Sequence, residues 1–384
     1  MEDFMKTIKV MTVFGTRPEA IKMSPLVQRL KKDDRFEEVT VVTAQHREML
    51  DQVLNIFKIK PEYDFNIMKK NQTLESVTAK VLIDMTKVLK EVKPDIVLVH
   101  GDTTTSFAAG LASFYLQCPL GHVEAGLRTW NKYSPFPEEM NRQMTDDLTD
   151  LYFAPTAVSK QNLIKENHNS DNIFITGNTA IDALEETVQS DYHHEVLDLI
   201  KPGSKIILVT MHRRENQGEP MRRVFKVMKQ VVDNHDDVEI IYPVHLSPSV
   251  QKVAHEILGN DSRIHLIAPL DVVDFHNLAK LSYFIMTDSG GVQEEAPALN
   301  KPVLVLRDTT ERPEGVKAGT LKLVGTQVDN VRNAMLELLD NKKVYEQMAN
   351  AKNPYGDGHA SERIMDDIAY YFAQNKGEKP ADFK

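Results

Sequence analysis

Tyr283-Phe284-Ile285-Met286-Thr287-Asp288-Ser289-Gly290-Gly291-Val292-Gln293-Glu294-Glu295 reads as a strand that enters a Ser-Gly-Gly turn and leaves as a helix. A short apolar run, two glycines and then a helix-forming segment predict a βα unit. The paired glycines let the backbone approach a ligand closely, and the free N–H groups of a helix start favour an anion. Ser289 adds a hydroxyl, and Glu295, about one turn into the helix, could accept both hydroxyls of a ribose. A plain strand-to-helix turn with a serine cap would use the same residues, so this motif alone leaves phosphate binding open.

The same grammar repeats outward from that unit. Strands are expected at Lys205–Thr210, Glu239–Tyr242, Ile264–Ile267, Val303–Leu306 and Leu321–Val324 in the second half. The first half offers Ile8–Phe14, Val39–Val42, Asp95–His100, Gly121–Val123, Leu151–Phe153 and Ile173–Ile175, with helical stretches such as Thr73–Glu91 and Thr104–Gln117 between them. Unbroken apolar strands separated by amphipathic helices predict parallel sheets covered on both faces. The fold class is therefore α/β, with two Rossmann-like doubly wound domains expected over 1–180 and 200–358. Polar, turn-rich Asp191–Glu195 and Lys201–Ser204 lie between them, with Pro202-Gly203 as a break. Gly356–His359 reads as a second connection, and a helix over 360–375 is expected to return to the first domain. In such sheets ligands sit beyond the carboxyl ends of the strands.

Composition narrows the chemistry. A chain of 384 residues is long for one hydrophobic core, and 41% apolar with 27% charged residues is ordinary for a globular protein. A formal net charge of −10 argues against nucleic acid or an anionic membrane as the main partner, while leaving room for a small anion at a local cluster of cations. Cys118 is the single cysteine, which excludes an internal disulfide framework and a thiolate metal cluster. No HExxH, CxxC or carboxylate cluster of metal-binding spacing occurs, so neither a metal nor a cofactor is expected. Met1–Lys9 is charged and runs directly into the first strand, without a signal-like segment. No apolar run approaches the roughly 20 residues of a membrane span. The expectation is a cytoplasmic protein without membrane insertion.

Ionisable residues crowd the turns that follow strands. Phe14-Gly15-Thr16-Arg17-Pro18-Glu19-Ala20-Ile21-Lys22 places Pro18 in a first helical turn and two cations, Arg17 and Lys22, near it. It is not a GxGxxG fingerprint, which disfavours a dinucleotide. His100-Gly101-Asp102 follows another strand, and Gly121-His122-Val123-Glu124-Ala125-Gly126-Leu127-Arg128 holds the next. Asp102 and Glu124, at the ends of adjacent expected strands, form a carboxylate pair suited to proton transfer. Pro135-Phe136-Pro137-Glu138-Glu139-Met140-Asn141-Arg142 begins a helix and sets Glu138 and Arg142 four residues apart on one face. In the second half, Thr210-Met211-His212-Arg213-Arg214-Glu215-Asn216 and Arg307-Asp308-Thr309-Thr310-Glu311-Arg312-Pro313-Glu314 offer His212 and Arg312 to a pyrophosphate. Pro243-Val244-His245 ends one more strand.

Taken together, Phe14–Lys22, His100–Thr104, Gly121–Arg128, Pro135–Arg142, His212–Asn216, Thr287–Pro297 and Asp308–Glu314 resemble the non-hydrolysing UDP-N-acetylglucosamine 2-epimerases, from about Lys6 to about Phe372. The resemblance implies the GT-B arrangement, two Rossmann-like domains around a cleft. It implies nucleotide and phosphate contacts from Arg17, Lys22, His212, Phe275, Ser289, Gly290, Gly291, Glu295 and Arg312, and a catalytic group of Asp102, Glu124, Glu138, Arg142 and His212. Leu270 stands where some members have a glutamine near the uracil. Some bacterial members bind a second UDP-GlcNAc as an allosteric activator, and Gln45, His46, Arg213 and His245 match that effector site, whereas Glu48 and Asn71 depart from it. The implied reaction is UDP-GlcNAc to UDP-ManNAc, by anti elimination of UDP to 2-acetamidoglucal and re-addition, for cell-envelope polysaccharide synthesis. A homodimer is implied as well. A GT-B glycosyltransferase or a hydrolysing 2-epimerase would share the nucleotide grip.

Overall fold

The computed structural model describes residues 7–44, 47–68, 72–373 and 378–384. The chain forms two compact units, one of Met1–Glu186 with Tyr355–Lys384, the other of Thr187–Pro354.

The first unit is built on a seven-stranded parallel sheet. Its strands are β1 (Ile8–Phe14), β2 (Phe36–Val42), β3 (Tyr63–Asp64), β4 (Ile96–His100), β5 (Leu120–Val123), β6 (Leu151–Ala154) and β7 (Ile173–Ile175), in the order β3-β2-β1-β4-β5-β6-β7. The second unit carries β8 (Lys205–Thr210), β9 (Val238–Pro243), β10 (Ile264–Ile267), β11 (Phe284–Thr287), β12 (Val303–Val305) and β13 (Leu321–Leu323), in the order β10-β9-β8-β11-β12-β13, again all parallel. In each sheet the chain starts at the centre, winds outward, then returns to the centre and winds the other way. The turns after β1 and β4, and after β8 and β11, therefore diverge and leave a crevice at the strand ends. Two doubly wound α/β units are what the alternating pattern called for.

The strands are buried on both faces, as continuous apolar runs require. Val10, Met11, Val13 and Phe14 of β1 are fully buried, and the helix Arg17–Leu30 lays Ala20, Met23, Leu26, Val27 and Leu30 against the sheet at helical spacing. In the second unit the helix Glu219–Asn234 buries Met221, Val224, Phe225, Met228, Val231 and Val232, with the Phe225 ring edge-on to Tyr242 of β9. Truncating Phe225 would cost about 3–5 kcal/mol.

Two differences from the sequence pattern have physical causes. β2 begins at Phe36 rather than Val39, because Glu38 fits the sheet by accepting from the hydroxyls of Thr12 (2.6 Å) and Thr40 (2.9 Å). β3 is two residues long and carries no periodicity to detect. The helix Ala360–Phe372 belongs to the first unit, where Asp182 accepts from the backbone N–H groups of Ala360 (3.2 Å) and Ser361 (2.7 Å) at its start. Among the described residues no helix is long and apolar enough to cross a membrane.

Candidate active site

In the first unit the turn after β1 is fixed by Glu19. Its buried carboxylate accepts from the N–H of Gly15 (3.0 Å) and Thr16 (2.8 Å), and from the hydroxyls of Thr103 (2.7 Å) and Ser106 (3.1 Å) beyond β4. One side chain thus ties both turns of the switch point together. Gly15 must be glycine there, since a Cβ would lie 2.0 Å from the Thr43 hydroxyl. Arg17 opens the following helix, half-buried.

Lys22, one turn and a half further on, reaches Glu124 just past β5 and forms an ion pair with it. His100, the last residue of β4, places Nε2 3.1 Å from the same Glu124 oxygen, and Asn178 Nδ2 donates to it at 3.4 Å. Burial alone would raise the Glu124 carboxyl, but Lys22 and His100 outweigh it and hold the group well below the usual carboxylate range. Glu124 is thus a buried anion with its donors gathered on one oxygen. Its backbone is left-handed (φ 68°), which turns the side chain off the strand line.

Asp102 lies two residues beyond β4, and its carboxylate accepts from Arg142 at 2.6 Å. Its carbonyl accepts from Asn141 Nδ2 at 2.9 Å. β4 and β5 pair in register at His100 and Val123, so the Asp102 and Glu124 turns are neighbours. Glu138 and Arg142 stand four residues apart on the helix Glu138–Leu148, and their partners differ. Arg142 binds Glu139 (3.1 Å) as well as Asp102, while Glu138 makes no hydrogen bond or ion pair among the described residues. Glu139 is the buried member, accepting from the backbone N–H groups of Thr129 and Trp130 (3.0 and 2.9 Å). Those bonds close the preceding loop over it, and Glu138 is left half-buried. Beneath the Gly101–Asp102 turn, His122 stands between the Gly101 carbonyl (2.7 Å) and Asp146 (2.6 Å). Burial would raise the Asp146 carboxyl, but His122 and Arg128 hold it below its usual range.

In the second unit the organiser is Asp288, fully buried after β11. Its carboxylate accepts from the N–H of His212 (3.0 Å) and Arg213 (2.9 Å) and from Asn216 Nδ2 (3.0 Å), fastening the loop after β8. His212 stacks on His245, with ring centroids 5.3 Å apart and planes within 10°. Burial, followed by the neighbouring His245 and Arg213, lowers the His212 pKa against the pull of Asp288, so the imidazole is neutral at neutral pH.

Ser289 occupies the N-cap of the helix Gly290–Ala298, yet its side chain makes no capping hydrogen bond. Arg312 lies over the turn: a Cβ on Gly290 would stand 3.0 Å from one of its terminal nitrogens and 3.1 Å from the guanidinium carbon. The guanidinium is oriented by buried Glu294, which accepts from Nε at 2.8 Å. Glu295 lies 3.4 Å from His276 Nε2, and Phe275 meets the His276 ring edge-on. Leu270 packs with Phe275 against the core.

The first unit therefore gathers Lys22, Glu124, Asp102 and Arg142 at the ends of β4 and β5, and the second gathers His212, Arg213, His245, Ser289, Gly290, Gly291, Glu295 and Arg312 from the segments that follow β8, β9, β11 and β12. Gln45, His46 and Asn71 lie outside the described residues. Arg213, matched to an effector site, also braces the local backbone by donating from Nε to the Asp288 carbonyl at 2.8 Å. Sequence reasoning missed Glu19, Asp288 and the His122–Asp146 pair. Asp288 had a local signal, an acid directly after a buried strand, and Glu19 had another, its capping-box spacing from Thr16; the His122–Asp146 pair and the reach of Glu19 to Thr103 and Ser106 depend on residues far away in the chain.

A family model described as UDP-N-acetylglucosamine 2-epimerase matches residues 28–369. The chain is 59% identical over 379 residues to the Bacillus subtilis UDP-N-acetylglucosamine 2-epimerase, covering 99% of each. The solved structure of S. aureus MnaA with UDP is 54% identical, with a TM-score of 0.89 over 98% of this chain and all of that one. The Neisseria meningitidis UDP-GlcNAc 2-epimerase bound to UDP-GlcNAc is 48% identical, with a TM-score of 0.86 over 94% of this chain and 100% of its own. On the match of the family model over most of its length and on these identities, the chain belongs to the UDP-N-acetylglucosamine 2-epimerase family.

Proposed function

We propose that this isomerase interconverts UDP-N-acetylglucosamine and UDP-N-acetylmannosamine without net hydrolysis, the second unit holding UDP and the first carrying the proton chemistry. The observation that carries the reading is the pair of neighbouring carboxylates, Asp102 and Glu124, each held by a cation at the end of its strand.

The C2–H bond of the sugar is not next to a carbonyl, so enolisation is unavailable. Breaking the C1–O bond to UDP solves this, because positive character at C1 acidifies C2–H. The C2 proton passes to a carboxylate, the C–H electron pair forms the C1=C2 bond of 2-acetamidoglucal, and UDP leaves as the anion. Protonation of C2 from the other face and return of the UDP oxygen to C1 complete the epimerisation. Glu124, kept anionic by Lys22 and His100, suits stabilisation of charge at C1. Asp102 and Glu138 are then the groups that exchange protons with C2, and Arg142 sets the position of Asp102.

Arg312, neutral His212 and the uncapped start of the helix at Ser289–Gly291 answer the charge on the leaving pyrophosphate. Arg17 and Lys22 are the phosphate-directed cations of the first unit. Glu295 accepts the ribose hydroxyls and Phe275 covers the base. A second UDP-GlcNAc as activator, drawing on Gln45, His46, Arg213 and His245, belongs to the same reading, as do a homodimer, a cytoplasmic setting and supply of cell-envelope polysaccharide synthesis.

Incubation with UDP-GlcNAc in D2O tests it. Deuterium should appear at C2 of intact UDP-sugar of both configurations. Stoichiometric free UDP with free sugar, or no exchange at C2 in the absence of an acceptor, would refute it.

A further inference from the structure

Arg312 reaches the Ser289–Gly290 turn from a loop more than twenty residues away in sequence. Its guanidinium is aimed by Glu294, but something must also fix the backbone that carries it. Gln293, fully buried in the helix after the turn, is placed to do so. Its Nε2 donates to the Ser289 carbonyl at 3.0 Å, and its Oε1 accepts from the Thr310 hydroxyl at 2.6 Å. The same Thr310 oxygen accepts from the Arg312 backbone N–H at 3.1 Å. The chain of bonds runs Ser289 carbonyl, Gln293 amide, Thr310 hydroxyl, Arg312 N–H, each link pairing a donor with an acceptor. A buried amide that uses both ends in this way specifies one geometry, because losing either bond leaves a polar atom unpaired in the interior.

We propose that Gln293 is a positioning residue for pyrophosphate binding, its amide coupling the Ser289 turn through Thr310 to the backbone of Arg312. The inference rests on the reading that UDP is held in the second unit with Arg312 on its phosphates. Leucine at 293 keeps the volume but makes neither bond, and valine at 310 keeps the shape without the hydroxyl. In both variants Arg312 keeps its charge and its bond to Glu294, but the backbone that carries it loses the anchor that sets its position. A cation held in the wrong place forfeits most of a charge-assisted hydrogen bond, so UDP affinity should fall about tenfold. Uridine, which has no phosphate, should bind as before.

The test measures UDP by titration calorimetry and uridine by NMR titration on the full-length protein and on Gln293→Leu, Thr310→Val, their double variant and Arg312→Ala. The proposal expects both single variants to lose about tenfold for UDP and less than about twofold for uridine. The double variant should be no worse than Gln293→Leu within about twofold, since both act through one chain of bonds. Equal losses for UDP and uridine, or unchanged UDP affinity in both single variants, would overturn it. Should Gln293→Leu fail to fold, Thr310→Val decides alone. Arg312→Ala separates the two levels: if it leaves the UDP-to-uridine ratio unchanged, the pyrophosphate reading fails first. If it lowers that ratio while the brace variants do not, only the role of Gln293 fails.

Discussion

Lys22→Met should make the first unit unstable in a way that depends on pH. Lys22 and Glu124 are 12% and 8% exposed, so their ion pair is largely out of water. Methionine matches the lysine stem but supplies no charge, leaving a buried carboxylate with the His100 imidazole 3.1 Å away. Breaking a buried pair by removing one member costs about 3–5 kcal/mol, and the remaining imidazole sets the expectation at about 3 kcal/mol. The sign with pH follows from linkage. In the wild type Glu124 has a native pKa below its unfolded value of about 4.3. Its contribution is complete above that value and is lost as pH falls through the lowered native one. In the variant burial, the largest influence on this carboxyl, is no longer opposed by Lys22, so the native pKa rises and acidification relieves the strain by protonating the group. The stability deficit should therefore be largest at neutral and alkaline pH and shrink towards about pH 5. Trp130, the single tryptophan, lies in the first unit, so its fluorescence in urea titrations reports on the affected part of the chain. A deficit below about 1 kcal/mol at pH 7, or one constant between about pH 5 and 8, would refute the reasoning.

Gly290→Ala places a methyl against the Arg312 guanidinium, which must move; UDP affinity should fall about tenfold by calorimetry, and unchanged affinity would show that Arg312 does not act from that position. Asp288→Ala removes the acceptor of the His212 and Arg213 N–H groups and of Asn216 Nδ2. It should cost about 2–4 kcal/mol in the second unit's unfolding transition and lower kcat/KM about a hundredfold, both measurable on one preparation. Asp102→Asn, Glu124→Gln and His212→Ala should each lower turnover about a hundredfold or more while leaving circular dichroism unchanged. Near-normal C2 exchange in two of the three would remove the catalytic assignment.

Local chemistry made much of this protein readable from the chain alone. Apolar runs of strand length, glycine and proline punctuation, and acids or histidines directly after strands are all properties of a few consecutive residues. They marked both sets of βα units and the turns at Gly15, Asp102, Glu124, His212 and Ser289. They could not say which carboxylate meets which cation. Glu138 and Arg142 share a helix and the correct spacing, yet Arg142 turns to Asp102, forty residues away, because helix rotation is set by burying Glu139 under Thr129 and Trp130. Lys22 finds Glu124 across 102 positions only because β1 lies beside β4 and β4 beside β5. Asp288 reaches the His212 loop, 76 positions back, because β11 pairs with β8. Strand order and register follow from the summed packing of a whole sheet and its helices, which no short stretch encodes. The sequence by itself determined the kind of fold and the residues that line its turns. Only the tertiary structure decided their partners, and with them which carboxylate is a fixed anion and which imidazole is neutral.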